Sequence, residues 1–183
     1  MNILALDPAA NTGWAHSNGQ FGLWLLRLQG APIGDQHVRL EQYLERAIAT
    51  MGCDVIATEN AGFGAFNPQT KAQHNERLGI IRLVAARHGI DVHAFQPKAI
   101  KLFATGDGEA SKAEMVAACR RLLGITVTSD DEADAIWICE FMKRPDCWPK
   151  RSPKKKKRGK GKGERATKSS KRSVKKEKEK ELF

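Results

Sequence analysis

The sequence contains no apolar run that approaches the ~20 residues needed to cross a membrane, and its first ten residues lack the basic stretch of a secretion signal. Its four cysteines form no CxxC pair and have no histidine at zinc-finger spacing. These absences argue against a membrane partner, a disulfide scaffold and a structural zinc site. We expect a cytoplasmic protein with reduced thiols. A nuclear location is the alternative in a eukaryotic host.

Apolar residues are almost absent after Pro149, where positive charge accumulates. From Lys150 onward, 17 Lys and Arg accompany 4 Glu, whereas residues 1–149 hold 14 basic and 17 acidic residues. Such a segment cannot bury enough apolar surface to fold alone. We predict a folded domain over residues 1–149 and a disordered basic tail over residues 150–183, which suits binding to nucleic acid or a targeting role. The densest basic run, a candidate DNA contact, consists of Lys154, Lys155, Lys156, Lys157 and Arg158.

The hydrophobic pattern of the first 149 residues predicts a mixed α/β fold with helices on both faces of a sheet. Three strand-like segments come first, and the second and third are joined by Asn18-Gly19, a strong hairpin signal. Helices and strands then alternate. The predicted strands cover residues 2–6, 13–17, 20–26, 53–60 and 90–95, and the predicted helices cover residues 37–52, 68–89, 98–104, 112–124 and 131–142.

Four acidic residues crowd into residues 130–134, directly before an apolar run. If Ser129 caps a helix and Glu132 completes a capping box, the helix dipole accounts for Asp130, Asp131 and Glu132. It does not account for Asp134, which stands inside the apolar stretch, where a carboxylate is disfavoured without a partner. Asp131 and Asp134 are three residues apart and therefore share one helix face.

Two further acidic residues, Asp7 and Glu59, end short apolar strands. Each alone is more often a capping or turn residue than a ligand. If their strands are neighbours, both carboxylates meet at one edge of the sheet, where Asp131 and Asp134 could join them. Four oxygen ligands without His or Cys suit Mg²⁺ or Mn²⁺. The sequence therefore predicts a catalytic metal site able to hold two ions and to hydrolyse phosphodiesters.

Four segments in this order resemble the RuvC-type Holliday junction resolvases of the RNase H-like superfamily, in a divergent form similar to phage and viral members. They are ILALDPAANTGWA, DVIATENAGFGAF, QPKAIKLFATGDGEASKAEMVAACRRLLG and DEADAIWIC. The resemblance covers roughly residues 2–142, and it implies a cytoplasmic protein that is associated with the nucleoid or encoded by a phage. It implies a five-stranded sheet of three antiparallel strands followed by parallel ones. It also implies a metal-dependent endonuclease for four-way junctions or other branched DNA, with catalytic roles for Asp7, Glu59, Asp131 and Asp134.

The same resemblance implies further contacts with DNA. Lys101 and Lys112 match lysines implicated in phosphate contact or catalysis, and Lys98, in the same segment, is a further candidate DNA contact. An aromatic residue near the second acid, Phe63 or Phe66, would insert at the junction centre. The family also implies a homodimer with the helix over residues 68–88 at or near the interface. Solvated surface charge is the ordinary interpretation of each lysine taken alone.

Three other interpretations compete with a junction resolvase. Another RNase H-like nuclease, acting on ribosomal RNA precursors or on general branched DNA, shares the fold and the metal chemistry. A non-catalytic nucleic-acid-binding protein would use the tail alone, but it leaves Asp134 unexplained. An actin-like phosphotransferase also begins with a strand, an Asp and a hairpin, but it needs Gly-rich phosphate loops and a second domain.

Overall fold

The computed structural model describes residues 1–27, 29–60, 67–144 and 146. The five strands in this part are β1 (Ile3–Asp7), β2 (Asn11–His16), β3 (Phe21–Leu25), β4 (Val55–Glu59) and β5 (Asp91–Phe95). The α-helices are α1 (Ile33–Met51), α2 (Pro68–Arg87), α3 (Pro97–Thr105), α4 (Lys112–Ala118) and α5 (Asp130–Met142). Phe63, Phe66 and the tail from residue 150 onward lie outside the described residues, so the predictions made for them remain predictions.

The strands form one mixed sheet in the order β3-β2-β1-β4-β5. The first three strands pair antiparallel, whereas β4 runs parallel to both β1 and β5. The predicted five-stranded sheet is therefore confirmed. The hairpin between β2 and β3 turns at Asn18-Gly19, where Gly19 adopts a φ of 94°, a backbone conformation that favours glycine.

Alternate residues of the two central strands face opposite sides of the sheet. On one side Ala5 and Ala57 pack against α3, α4 and α5, in a core that includes Trp137 and Ile138. On the other side Leu6 packs against α1 and α2 through residues such as Leu40, Leu44 and Ile81. The prediction of helices on both faces is confirmed. Because Asp7 and Glu59 are in step with Ala5 and Ala57, this alternation directs their side chains to the α5 side.

Several local expectations differ from the structure. Helix α1 begins at Ile33, four residues before the predicted start, directly after Pro32. The predicted helix over residues 112–124 ends its α-helical part at Ala118 and continues as a π-helical turn over Cys119–Leu123. Met115 and Ala118 are the buried residues of α4, and the Trp137 indole N–H donates a hydrogen bond to the Met115 carbonyl.

The expected capping box at α5 is only half formed. The Ser129 hydroxyl accepts a hydrogen bond from the Glu132 backbone N–H, as predicted. The Glu132 carboxylate does not return to Ser129. It accepts hydrogen bonds from the backbone N–H and the hydroxyl of Thr128, at 2.7 and 2.8 Å. Glu132 is buried, and these two bonds satisfy its carboxylate. In the described part of the chain, no helix is long and apolar enough to cross a membrane.

Candidate active site

Asp7 and Glu59 occupy the ends of adjacent parallel strands. In the β1–β4 ladder Leu6 lies beside Thr58, so the next residue of each strand, Asp7 and Glu59, emerges at the same edge of the sheet. Both strands are buried up to that point. The adjacency assumed from the sequence is thus present, and it places two carboxylates side by side on the face covered by α5.

Helix α5 brings Asp131 and Asp134 to the same edge. Its first turn lies against β2 at Gly13, the residue that pairs with Asp7 in the β1–β2 ladder. A Cβ atom at position 13 would stand 1.9 Å from the Asp131 carbonyl oxygen, far inside van der Waals contact. Only glycine permits this approach, so Gly13 determines how near the acidic turn of α5 comes to Asp7.

Burial and mutual repulsion raise the pKa values of all four carboxyl groups. Removal from water is the largest cause in each case. For Asp7 the charges of Glu59, Asp134 and Asp131 add to it, and the pKa rises well above its ordinary value. Burial and then Asp134 raise the pKa of Glu59 to about 7, and burial raises the pKa of Asp134 to about 6. The pKa of Asp131 also rises, through burial and then Asp130. The four groups therefore act as one electrostatic cluster.

Two of the three candidate lysines influence this cluster. Lys112, the first residue of α4, forms an ion pair with Asp130, and its charge lowers the pKa values of Asp7, Glu59 and Asp134 against the dominant effect of burial. Lys101 acts in the same direction on Glu59 and Asp134.

The ion-pair partner of Lys98 is a residue outside the four candidate carboxylates. Its ammonium group pairs with Glu109 at 2.5 Å, and its side chain is 73% exposed. The loop that carries Glu109 packs closely against this lysine, because a Cβ atom at Gly108 would stand 2.7 Å from the Lys98 side chain. Of the three lysines, Lys98 is therefore the least closely associated with the acidic cluster.

The chemistry of the donor set fits a hard divalent cation. All four groups are carboxylates, they repel one another, and a cation between them would favour their ionised forms. As the side chains stand, however, no three His, Cys, Asp or Glu residues in the described ranges are close enough to form a metal-binding group. The backbone brings the four candidate carboxylates to one edge, and side-chain rotation would have to complete a metal site.

Comparison with known proteins relates this chain to a family. A family model described as "Crossover junction endodeoxyribonuclease RuvC" matches residues 20–140. The chain belongs to the RuvC family. The matched segment contains Glu59, Asp131 and Asp134, whereas Asp7 precedes it.

Curated RuvC-family relatives are similar in sequence. The crossover junction endodeoxyribonuclease RuvC of Mycobacterium avium is 33% identical over 119 residues, which cover 63% of each protein. The chain thus spans a little under two thirds of the length of that relative. The RuvC protein of Chloroflexus aurantiacus is 32% identical over 157 residues, which cover 79% of this chain and 95% of the relative.

Solved structures share the fold of this RuvC-family chain. Thermus thermophilus RuvC in complex with Holliday junction substrate matches with a TM-score of 0.64 and 20% identity, over 75% of this chain and 90% of that chain. The yeast mitochondrial Holliday junction resolvase Ydc2 matches with a TM-score of 0.53 and 12% identity, over 74% of this chain and 75% of that chain. The RNase H-like architecture expected from the sequence is confirmed by these neighbours.

Three features near the candidate carboxylates were not singled out from the sequence. Gly13 and the ion-pairing role of Asp130 become visible only when α5 is placed against β2 and α4. His74 of α2 is the third. Its ring lies near the Glu59 backbone, and its Nε2 is buried with no hydrogen-bond partner among the described residues. Burial lowers the pKa of His74.

Proposed function

We propose that the chain is a metal-dependent endonuclease that cuts four-way DNA junctions or closely related branched DNA. The observation that carries the proposal is the set of four coupled carboxylates at the edge formed by β1, β4 and α5. Membership of the RuvC family supports it, as do relatives whose names state crossover junction cleavage. A structural neighbour solved in complex with Holliday junction substrate supports the choice of DNA shape.

Asp7, Glu59, Asp131 and Asp134 are the proposed ligands of Mg²⁺, for which Mn²⁺ would substitute. Bound divalent ions would supply an activated water and stabilise the leaving oxygen of the phosphodiester. The protein contributes the position and the protonation state of the carboxylates. Because the pKa values of Glu59 and Asp134 lie near neutrality, these groups must release protons to bind a cation.

Lys112 is the proposed phosphate contact nearest to the carboxylates. Its ion pair with Asp130 restrains the ammonium group at the edge of the cluster, where its charge lowers the pKa values of all four proposed ligands. Lys101 would assist from α3. The acidic surface alone would repel the DNA backbone, and a cation at this place would attract it.

Other contacts with DNA would come from residues outside the described ranges. Phe63 or Phe66 would stack at the open centre of the junction, and the basic tail over residues 150–183 would add affinity for any DNA. A homodimer with α2 at or near its interface would present two sites to one junction. A cytoplasmic place of action, at a chromosome or a phage genome, fits this function.

The proposal is tested by cleavage of a synthetic four-way junction beside a matched duplex, a flap and an RNA substrate. We expect metal-dependent cuts in the junction and little cleavage of the duplex. Ca²⁺ should allow binding with little chemistry, because its looser coordination misplaces the attacking water. Cleavage that persists in excess EDTA would contradict the metal site. A clear preference for RNA or for flaps would favour another RNase H-like nuclease.

A further inference from the structure

On the sheet face opposite the carboxylates lies a cavity with a volume of about 640 Å³. It lies between the β2–β3 hairpin and the second half of α1, and we call it the hairpin–α1 cleft. The residues of the cleft used below are Trp14, Gln20, Trp24, Tyr43, Arg46 and Thr50. Its volume falls within the ~300–1,000 Å³ usual for sites that bind small molecules or single groups of larger ones.

Three aromatic rings form a stack along this cleft. Trp14 lies 5.9 Å from Trp24 between ring centroids, and Trp24 lies 5.3 Å from Tyr43, with interplanar angles of 22° and 5°. Trp24 is buried in the middle, whereas Trp14 and Tyr43 are partly exposed. The ring of Trp14 lies close to Gly22, its partner in the β2–β3 ladder. The cleft thus presents flat aromatic surfaces of the kind on which a nucleobase stacks.

The rim of the cleft is cationic. A smaller cavity of about 190 Å³ shares Tyr43 and Arg46 with the cleft and adds Arg39 and Gln42 from the same helix. No acidic residue lines either cavity, and neither guanidinium group has an ion-pair partner in the described residues. Arginines left unpaired beside an aromatic stack suit a phosphate group close to a flat ring.

We propose that the hairpin–α1 cleft binds an unpaired nucleotide of a DNA strand, with its base on the aromatic stack and its phosphate at Arg46 and Arg39. The side chains of Gln20 and Thr50 supply polar groups for the edge of the base. A base inside a duplex hides both faces against its neighbours, so the cleft selects single-stranded nucleotides. Such a site would hold a strand on the opposite side of the sheet from the carboxylates, and it does not depend on cleavage.

Binding of a short oligothymidylate to the full-length protein tests this proposal. The titration is carried out at high ionic strength, because contacts of the basic tail with phosphates weaken steeply with salt whereas stacking does not. Arg46→Glu and Tyr43→Leu should each weaken binding by about tenfold. Arg82→Glu is the matched control, since Arg82 is an exposed arginine of α2 that lines neither cavity. It should bind as the unmodified protein does.

Indole N–H resonances of the unmodified protein provide a second measurement that does not rely on a variant folding. Those of Trp14 and Trp24 should shift on titration, whereas that of Trp137, on the other face of the sheet, should not. Equal losses in Arg46→Glu and Arg82→Glu would overturn the proposal, as would unshifted Trp14 and Trp24. Binding of free thymidine monophosphate without binding of the oligonucleotide would overturn the assignment to a strand.

Asp134→Asn separates this proposal from the nuclease. The variant should lose junction cleavage and keep oligothymidylate binding, because Asp134 lies on the α5 side of the sheet. Loss of oligothymidylate binding in this variant would place the strand at the carboxylates and overturn the cleft. Absence of cleavage in the unmodified protein, with binding intact, would reject the nuclease alone.

Discussion

The two faces of the sheet differ in how their charged side chains are paired. On the α5 face, four carboxylates are partly buried close together, and their pKa values rise because burial and repulsion are not offset. On the α1–α2 face, the surface charges are mostly paired, as in Arg87–Glu41 and His88–Glu45. Arg39 and Arg46 of the hairpin–α1 cleft have no ion-pair partner in the described residues, and the same holds for Arg82 on α2. The four carboxylates and the two cleft arginines are groups of like charge that a ligand of the opposite sign would neutralise.

The largest expected effect is the loss of junction cleavage when one carboxylate is removed from the α5 face. Asp7→Asn, Glu59→Gln and Asp134→Asn should each reduce junction cleavage by more than ~100-fold, since even residues that merely support metal ligands are worth ~10–100-fold. Junction binding should be retained, because no phosphate contact is removed. Glu41→Gln on the other face is the control and should cleave normally. Cleavage rates and gel-shift binding measure both effects, and full activity in Asp134→Asn would reject the site.

A methyl group can test the close approach of α5 to β2. Gly13→Ala should destabilise the protein by ~1–3 kcal/mol or more, because its Cβ would overlap the Asp131 carbonyl, and cleavage should fall as α5 shifts. Gly34→Ala in α1 is the matched control. Its Cβ would meet no atom within 4 Å, so stability should be unchanged or rise by ~0.5–1 kcal/mol. Chemical denaturation measures both variants, and similar free energies of unfolding would contradict the role of Gly13.

The carboxylates of the α5 face should make the free energy of unfolding depend on pH, whereas the paired surface charges of the α1–α2 face should contribute little to that dependence. The pKa values of Glu59 and Asp134 in the folded protein, about 7 and about 6, lie above their ordinary values. The folded protein therefore binds more protons than the unfolded chain at mildly acidic pH. Without metal, its free energy of unfolding should rise as the pH is lowered from about 8 to about 5. The rise is ~1.4 kcal/mol for each tenfold difference in proton affinity between the folded and unfolded states.

Asp134→Asn should raise metal-free stability at pH 8 by roughly 1–3 kcal/mol, because it removes a repelling, desolvated charge. The substitution should also make the free energy of unfolding without metal depend less on pH. Glu41→Gln, whose carboxylate pairs with Arg87 at the surface, should do neither. Thermal unfolding in EDTA across this pH range is the measurement. A less stable Asp134→Asn protein would show that the carboxylate has a stabilising partner.

The smallest expected effects concern the lysines. Lys112→Gln should lower cleavage by about tenfold, since it removes a charge-assisted contact with phosphate. Asp130→Asn should lower cleavage less, because it only releases Lys112, and it should cost ~1 kcal/mol or less of helix stability. Lys98→Gln, whose ammonium group pairs with Glu109, is the control. Steady-state cleavage of the junction separates the three, and equal losses would indicate a general effect of charge.

Local chemistry in the sequence determined much of the fold and the list of candidate carboxylates. The apolar runs that end in Asp7 and Glu59 are strands because each is short, continuous and followed by a break. Ser129 starts α5 because its hydroxyl satisfies a free backbone N–H, and the spacing of Asp131 and Asp134 follows from the helix. These features depend on residues within a few positions of one another, so the sequence alone predicts them.

Tertiary structure decided what depends on distances between remote residues. The contact of Gly13 with Asp131 and the pairing of Lys112 with Asp130 arise only when α5 is placed against β2 and α4. The hairpin–α1 cleft likewise needs β2, β3 and α1 together. The residue pattern along one element does not predict such contacts. The distance between two elements depends on how their side chains pack, and the same pattern is compatible with different distances.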